Sequence, residues 1–355
     1  MPTASIGVIV PCHNEAAIVW RKLANLARMD WPETSGQHRV VIVDDGSTDG
    51  TGQLARAACE ELFGEEVRAD VVTNTQRPGK PGAITSGLFE LGLSVDLVCL
   101  SDCDVLFDPA ALVQLAEAFE RDPELVMATG EQCLVGSLAS DGSLTDAEGA
   151  PLQHAGEKYD DLTSFVRRFE SRRGMVFSVH GQLLAWRARL ALRPTPGIAA
   201  DDLDLMLQAR SMSEGRGRIV QVTQAIFYEE LAPAGHGRRQ QVLRRARAYV
   251  QFLRHPRIGE LTRSGDLARR VQGLFYRTVP AAAPWAALVI VTGLWFAISR
   301  ASGFEIAQDV MLGLGIVFVA IVLGPKAFGR LLVIARAQLI QLGEDMGDRW
   351  ETARK

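Results

Sequence analysis

The residues best equipped for chemistry in this chain are aspartates, and they fall in three groups. In "VCLSDCDVLF", residues 98–107, Asp102 and Asp104 stand one residue apart in a run that reads as a buried strand. Side chains two apart on a strand share a face, and carboxylates enter apolar surroundings only with a partner. A pair of hard oxygen ligands suits Mg2+ or Mn2+, which takes one or two carboxylates and completes its shell with water and phosphate oxygens. A solvated strand end before a turn would use the same residues. In "DDGSTDGT", Asp44, Asp45 and Asp49 sit among glycines. Acids repel a phosphate and no G-x-G-x-x-G is present, so this is no dinucleotide fingerprint. It suits the donor groups of a base or the hydroxyls of a ribose, or else an Asx turn capping the next helix. In "AADDLDL", Asp201 and Asp204 are what the helix dipole favours in a first turn, and Asp202 between them has like-charged neighbours. Such crowding raises a carboxyl pKa, as a general base requires. Lys80 in "RPGKPG" is a cation for a phosphate or simply a solvated loop lysine; Pro81 stands where a P-loop needs Ser or Thr.

An alternating framework has to position these groups. Four Val- and Ile-rich runs, "SIGVIVP", "VVIVDD", "DVVTNT" and "DLVCLSD", are separated by helix-length segments at 15–28, 51–62 and 83–91. Strands alternating with helices predict a parallel sheet of βαβ units, whose functional groups collect at the carboxyl edge. The polar insertions "PCHNE", "DDGSTDGT" and "SDCD" sit at that edge. Beyond a helix at 108–121 and a strand near 126–133, the Gly-, Ser- and Asp-rich stretch 136–156 reads as a mobile loop. A helix near 159–173 follows, then "GMVFSVHGQLLAWR", "AADDLDLMLQAR" and a strand "RIVQVTQAIFYEE".

In order along the chain, "VPCHNE", "VVIVDDGSTDGT", "GK" at 79–80, "SDCD", "GQLLAWR", "DDLDL" and "QVLRR" resemble a family 2 glycosyltransferase of the type-A fold. The resemblance runs from Ile6 to about Tyr249 and takes in the membrane-anchored layout of polysaccharide synthases and lipid glycosyltransferases. It implies an α/β fold, Rossmann-like with a mostly parallel sheet, followed by an interfacial helix and a C-terminal transmembrane helical hairpin. By the same resemblance Pro11, Glu15, Asp44 and Asp45 face the nucleoside of a nucleotide sugar, and Lys80 and Arg244 its phosphates, with Gln241 beside them. Asp102 and Asp104 hold Mn2+ or Mg2+, Asp102 also lying near the ribose, and Asp202 is the catalytic base of an inverting hexosyl transfer. His180, Gly181 and Gln182 lie on the acceptor side, and Arg187 matches that element's arginine. His180 and Gln182 replace the usual small residues beside the glycine, and Arg245 replaces the tryptophan of Q-x-x-R-W. Family preference makes the donor a UDP-sugar. A processive polysaccharide synthase, a sugar-phosphate nucleotidyltransferase and an inactive membrane-anchored binding protein stand as alternatives.

The whole chain fits that layout. It has 355 residues and a net charge of −4, with a mean hydropathy of +0.07. Nothing in that balance advertises nucleic-acid binding. Five cysteines without CxxC spacing fit a reducing compartment. The start "MPTASIGVIVPC" reads as a first strand, not a signal peptide. The expected divisions are a cytoplasmic glycosyltransferase domain at 1–235, an amphipathic interfacial region at 236–275, a transmembrane hairpin at 276–330 and a cytoplasmic tail at 331–355. The run Val279–Ser299 has about the twenty apolar residues a bilayer requires, and "VMLGLGIVFVAIVL" from Val310 is shorter. Arginines and a lysine outside both runs put both ends in the cytoplasm. In 238–257, Val242, Ala246, Val250 and Leu253 recur at helical spacing, opposite Arg239, Arg245, Arg247 and Arg254. Such a helix lies at a headgroup boundary or packs on the sheet. The expected acceptor is a membrane lipid or lipid-linked glycan.

Overall fold

The computed structural model describes residues 4–155, 158–213, 216–231, 236–253, 257–261, 266–302 and 332–340. They fall into two compact units, one within 1–233 and one within 234–346.

The first unit is built on an eight-stranded sheet of order β3-β2-β1-β4-β7-β6-β8-β5. Strands β1 (Ile6–Cys12) and β2 (His38–Asp44) are buried along nearly their whole length, as their unbroken Val and Ile runs require of strands covered on both faces. With β3 (Val67–Thr73) and β4 (Leu97–Leu100) they form a parallel half. Helices α1 (Val19–Ala27), α2 (Thr51–Leu62) and α3 (Lys80–Leu91) make the crossovers. The other half is mixed. β7 (Leu184–Arg187) runs antiparallel between β4 and β6 (Leu125–Val135), β8 (Arg218–Glu230) is parallel to β6, and β5 (Val105–Phe107) is antiparallel to β8. Six of the eight strands thus run in one direction, as expected of a mostly parallel sheet, and β7 and β5 are reversed, which makes the sheet mixed. The two reversed strands are both short, three residues in β5 and four in β7.

The run 98–107 is not one strand. It breaks after Leu100, turns through Ser101–Asp104 and restarts at Val105 on another part of the sheet. Segment 136–155 is packed, contrary to the mobile loop expected. Leu138 is buried with Leu106 and Val135, with Leu144 and Leu152 against them. At Gly142 (φ +79) an added Cβ would lie 2.5 Å from the Arg21 carbonyl oxygen of α1. Its polar composition hid this because a few leucines and one glycine suffice to seat it. Helices α4 (Ala111–Arg121), α5 (Lys158–Arg172) and α6 (Asp201–Met212) complete the unit.

The second unit holds α7 (His236–Phe252), α8 (Ile258–Leu261), α9 (Leu267–Ser302) and a helical segment at 332–340. Tyr249 donates to the Tyr276 carbonyl at 2.9 Å, Val250 and Phe252 are buried, and Trp285 donates to Gln338 at 2.8 Å. Val250 of the proposed interfacial stripe thus faces protein. Arg254 lies outside the described residues, as do the side chains of Arg239 and Val242. Among the described residues no helix is long and apolar enough to cross a membrane. The run Val279–Ser299 lies within α9, but a hairpin needs two spans, and the second, from Val310, lies outside the described residues. The expected hairpin is therefore unsupported by the fold.

Candidate active site

The four parallel strands end at Cys12, Asp44, Thr73 and Leu100, and the polar segments that follow them meet at that edge. Asn14, held at φ +56, joins the first two. Its backbone N–H donates to Ser47 Oγ at 3.0 Å and its side-chain oxygen accepts from the Thr48 N–H at 2.9 Å. The Glu15 N–H donates to Thr51 Oγ1 at 2.8 Å, and Asp49 accepts from the N–H groups of Ala16 and Thr51. Asp49 thus makes an Asx-type turn into α2, the turn-forming role its spacing allows. Asp44 accepts from the Ser47 N–H at 3.0 Å.

Asp45 is buried. It accepts from the Asn74 amide at 2.5 Å and from the Gly79 N–H at 2.7 Å, and Asn74 accepts from Ser86 Oγ at 2.8 Å. Asp45 thereby fixes the loop that delivers Lys80 to the first turn of α3. Asn74 was missed in the sequence, although its place just past β3 is where polar groups collect.

The centre of the site is an ion cluster. Lys80 Nζ lies 2.7 Å from Asp102 Oδ1 and 3.5 Å from Asp201 Oδ2. Burial works against the Lys80 charge, but Asp102 and then Asp201 outweigh it and hold the ammonium protonated far above its ordinary range. Asp202, half-buried at the start of α6, has its carboxyl pushed up to about 6, first by burial and then by Asp201, with Lys80 opposing. Crowding, the cause read from the sequence, is thus the lesser one. Asp201 is itself buried and raised by the same desolvation, against Lys80. Asp204, fully buried, accepts from the Thr195 N–H at 2.6 Å and from the Gln208 amide at 2.9 Å, which ties down the 193–200 segment. Of the two aspartates that a helix dipole explains alike, Asp201 pairs with Lys80 and Asp204 holds the 193–200 segment.

Lys22 of α1 was not singled out in the sequence. It is fully buried, donates to the Val105 carbonyl at 3.0 Å and lies 3.9 Å above the Phe107 ring. Burial lowers its pKa to about 8, with Cys103, Cys99, Asp102 and Asp104 opposing. One turn on, Asn25 both donates to and accepts from the Phe107 backbone, at 3.0 and 2.8 Å. Helix α1 thus clamps the strand on which the Asp102–Asp104 turn ends. Its helical spacing, i and i+3, was the available signal.

Gly181 packs against Asp202: a Cβ added there would lie 3.2 Å from Asp202 Cβ. The His180 N–H donates to Thr129 Oγ1 at 2.8 Å, and the ring meets Phe227 edge-on. Gln182, with Gln132, donates to the buried Glu229. Arg187 donates to the carbonyls of Leu125, Phe119 and Asp122, so it holds a corner of the fold instead of facing an acceptor. Pro11 is buried at the end of β1. Gln241 and Arg244 belong to α7 of the second unit.

A divalent ion would find hard oxygen donors here. Asp102 and Asp104 flank the buried Cys103, whose thiol is engaged with Cys12 and pushed well above its ordinary range, chiefly by that contact. No group of three ligand-type side chains occurs among the described residues. A two-carboxylate set fits Mg2+ or Mn2+ shared with phosphate oxygens, and does not fit a closed zinc site.

Residues 7–138 match the family described as Glycosyl transferase family 2. The chain is 33% identical over 131 residues to an N-acetylglucosaminyltransferase of Rhizobium leguminosarum bv. viciae, covering 37% of this chain and 28% of that protein. It is 33% identical over 92 residues to the dolichyl-phosphate beta-glucosyltransferase of Homo sapiens, covering 25% and 28%. A mannosyltransferase of Pyrobaculum calidifontis, solved with GDP-Man and Mn2+, superposes with a TM-score of 0.67 at 22% identity, over 96% of this chain and 88% of that one. At that identity the likeness is one of fold. Residues 7–138 thus make a domain of glycosyltransferase family 2, and the fold is the type-A fold with a mixed sheet. The chain spans under a third of the length of these two curated relatives.

Proposed function

We propose that the protein transfers a hexose, with inversion, from a nucleotide sugar to a membrane lipid or lipid-linked glycan. One observation carries this reading: Lys80 bridges Asp102, on the turn after β4, to Asp201, the neighbour of Asp202. A phosphate-sized anion drawn to Lys80 would sit beside a carboxyl whose pKa of about 6 lets it accept a proton near neutrality.

In this reading Pro11, Glu15, Asp44 and Asp45 line the nucleoside end. The acceptor hydroxyl gives its proton to Asp202 and its oxygen attacks the anomeric carbon from the face opposite the diphosphate, whose bond to that carbon breaks. The charge left on the diphosphate is met by Lys80; a cation aimed at charge that develops in the transition state favours it over the ground state. Asp102 and Asp104 would hold Mn2+ or Mg2+, which supplies further positive charge there. His180, Gly181 and Gln182 border the acceptor.

The lipid acceptor rests on the dolichyl phosphate in one relative's name and on the apolar runs of the second unit, which we assign to an integral membrane anchor with the catalytic domain in the cytoplasm. A reporter fused at Lys355 and active only outside the cytoplasm would overturn that topology.

Nucleotide release against a panel of donors, with membrane lipid extract as acceptor, tests the function. The expected result is lipid-dependent release of UDP from a UDP-sugar and a single added sugar. GDP release would reassign the donor, and a product ladder would mean a processive synthase. Diphosphate released from a nucleoside triphosphate would mean a nucleotidyltransferase, and no release at all an inactive site.

A further inference from the structure

Helix α5 is inside out. On its inner face lie polar groups: the buried Arg167 donates to the Ser178 carbonyl at 2.8 Å, and the buried Glu170 accepts from the Phe177 N–H at 3.1 Å. Ser171 exchanges hydrogen bonds with the Gln221 backbone at 2.8 and 3.1 Å. Among the described side chains of this helix the apolar ones face outward, with Phe165 61%, Val166 38% and Phe169 50% exposed. A helix whose polar side satisfies the interior leaves its apolar side for something else, since contiguous exposed aromatics mark an interaction surface.

Charge decides what covers it. Arg168, Arg172 and Arg173 are exposed around the phenylalanines; Arg173 lies over the Phe169 ring at 4.1 Å, and Arg168 reaches Glu131 at 3.3 Å. Phenylalanines rimmed by arginines are the pattern of a helix lying in a membrane interface, rings among the acyl chains and guanidinium groups at lipid phosphates. A second copy on the same face, related by a two-fold axis, would press these arginines against one another.

We propose that the outward face of α5 docks on an anionic lipid bilayer, with Phe165 and Phe169 inserted at the headgroup boundary and Arg172 and Arg173 on lipid phosphate. The proposal concerns α5, not the arginine-rich helix α7, and stands independently of the transfer reaction. It would bring the first unit onto the membrane through the helix that leads into His180–Gln182.

The test places an environment-sensitive fluorophore at Val166→Cys in the full chain carrying Cys59→Ser and Cys133→Ser, and adds vesicles of phosphatidylcholine with phosphatidylglycerol. The emission should brighten and move to shorter wavelength, while the same probe at Glu61→Cys on α2 should not respond. Phe165→Ser with Phe169→Ser, its far-ultraviolet circular dichroism matched to the parent, should abolish the change. Arg172→Gln and Arg173→Gln should each raise the lipid needed for half response by roughly fivefold at low salt. A probe at 166 that stays water-like with vesicles present would overturn the proposal. So would an equal response to vesicles of phosphatidylcholine alone, or a blue shift that grows with protein concentration without lipid, which would mean a second copy.

Discussion

Lys80 and Asp102 form a 2.7 Å ion pair between the start of α3 and the turn after β4. Under the proposed function Asp102 also holds a divalent ion, for which Lys80 would compete until a diphosphate drew the lysine away. Lys80→Met should therefore tighten Mn2+ binding measured by calorimetry without donor, by about 5-fold, the upper end for a screened pair, while raising the KM for donor. Asp104→Ala is the counterpart: calorimetry should show weaker binding, and turnover should no longer respond to added metal. Unchanged Mn2+ affinity in both variants would dismiss the metal assignment.

Asp202 sets the expected pH dependence. Its carboxyl is raised to about 6, so below that pH it carries a proton and cannot accept one from the acceptor. kcat/KM should climb with pH through about 6 and then level. Asp202→Asn should lose the limb together with ~10²–10⁴-fold in rate, with donor affinity by fluorescence titration nearly intact.

Gly181→Ala asks whether Asp202 tolerates displacement. The new Cβ would lie 3.2 Å from Asp202 Cβ, so the aspartate must move by a few tenths of an ångström. The expected loss is about 10-fold in kcat, part of the roughly hundredfold that a 1 Å misplacement costs. Donor KM should hold; a KM rise with kcat intact would place Gly181 on the donor side instead.

Lys22 offers a test by stability. Its pKa falls from 10.5 to about 8 on folding, so the unfolded chain binds the extra proton between those values and stability rises with pH there. The burial penalty is present in full below about 8 and relieved by 10.5. Lys22→Met lacks this titration, so the wild type should gain on the order of 3 kcal/mol relative to it between pH 8 and 10.5, read by urea denaturation. A constant difference would mean that Lys22 keeps its ordinary pKa in the fold and stays protonated there.

The parallel half of the sheet and its carboxyl-edge loops were legible because Val and Ile runs ending in Asp and Gly leave few alternatives. The pattern picks out Asp102 and Asp104 yet puts them on a strand, since the hydropathy of the run does not register the four-residue break at Ser101–Asp104. The partners were harder. Lys80 with Asp201, Asn74 with Asp45 and Lys22 with the Val105 carbonyl join positions far apart in the chain, and no local period encodes them. Antiparallel β7 is equally silent: three apolar residues and an arginine fit either direction.

The position of β7 between β4 and β6 also orders events during synthesis. β1 to β4 pair among themselves as soon as residue 100 is made, but the outer edge of β4 stays open until its partner emerges, since Leu100 pairs with Leu184. At about 5–20 residues per second that delay is roughly 4 to 17 s. For that time Leu97–Leu100, wholly apolar, is an unpaired strand edge on the ribosome, the kind of template on which other chains aggregate. Codons that slow elongation between 101 and 184 would lengthen the exposure, and so would lower the soluble yield without altering a single amino acid.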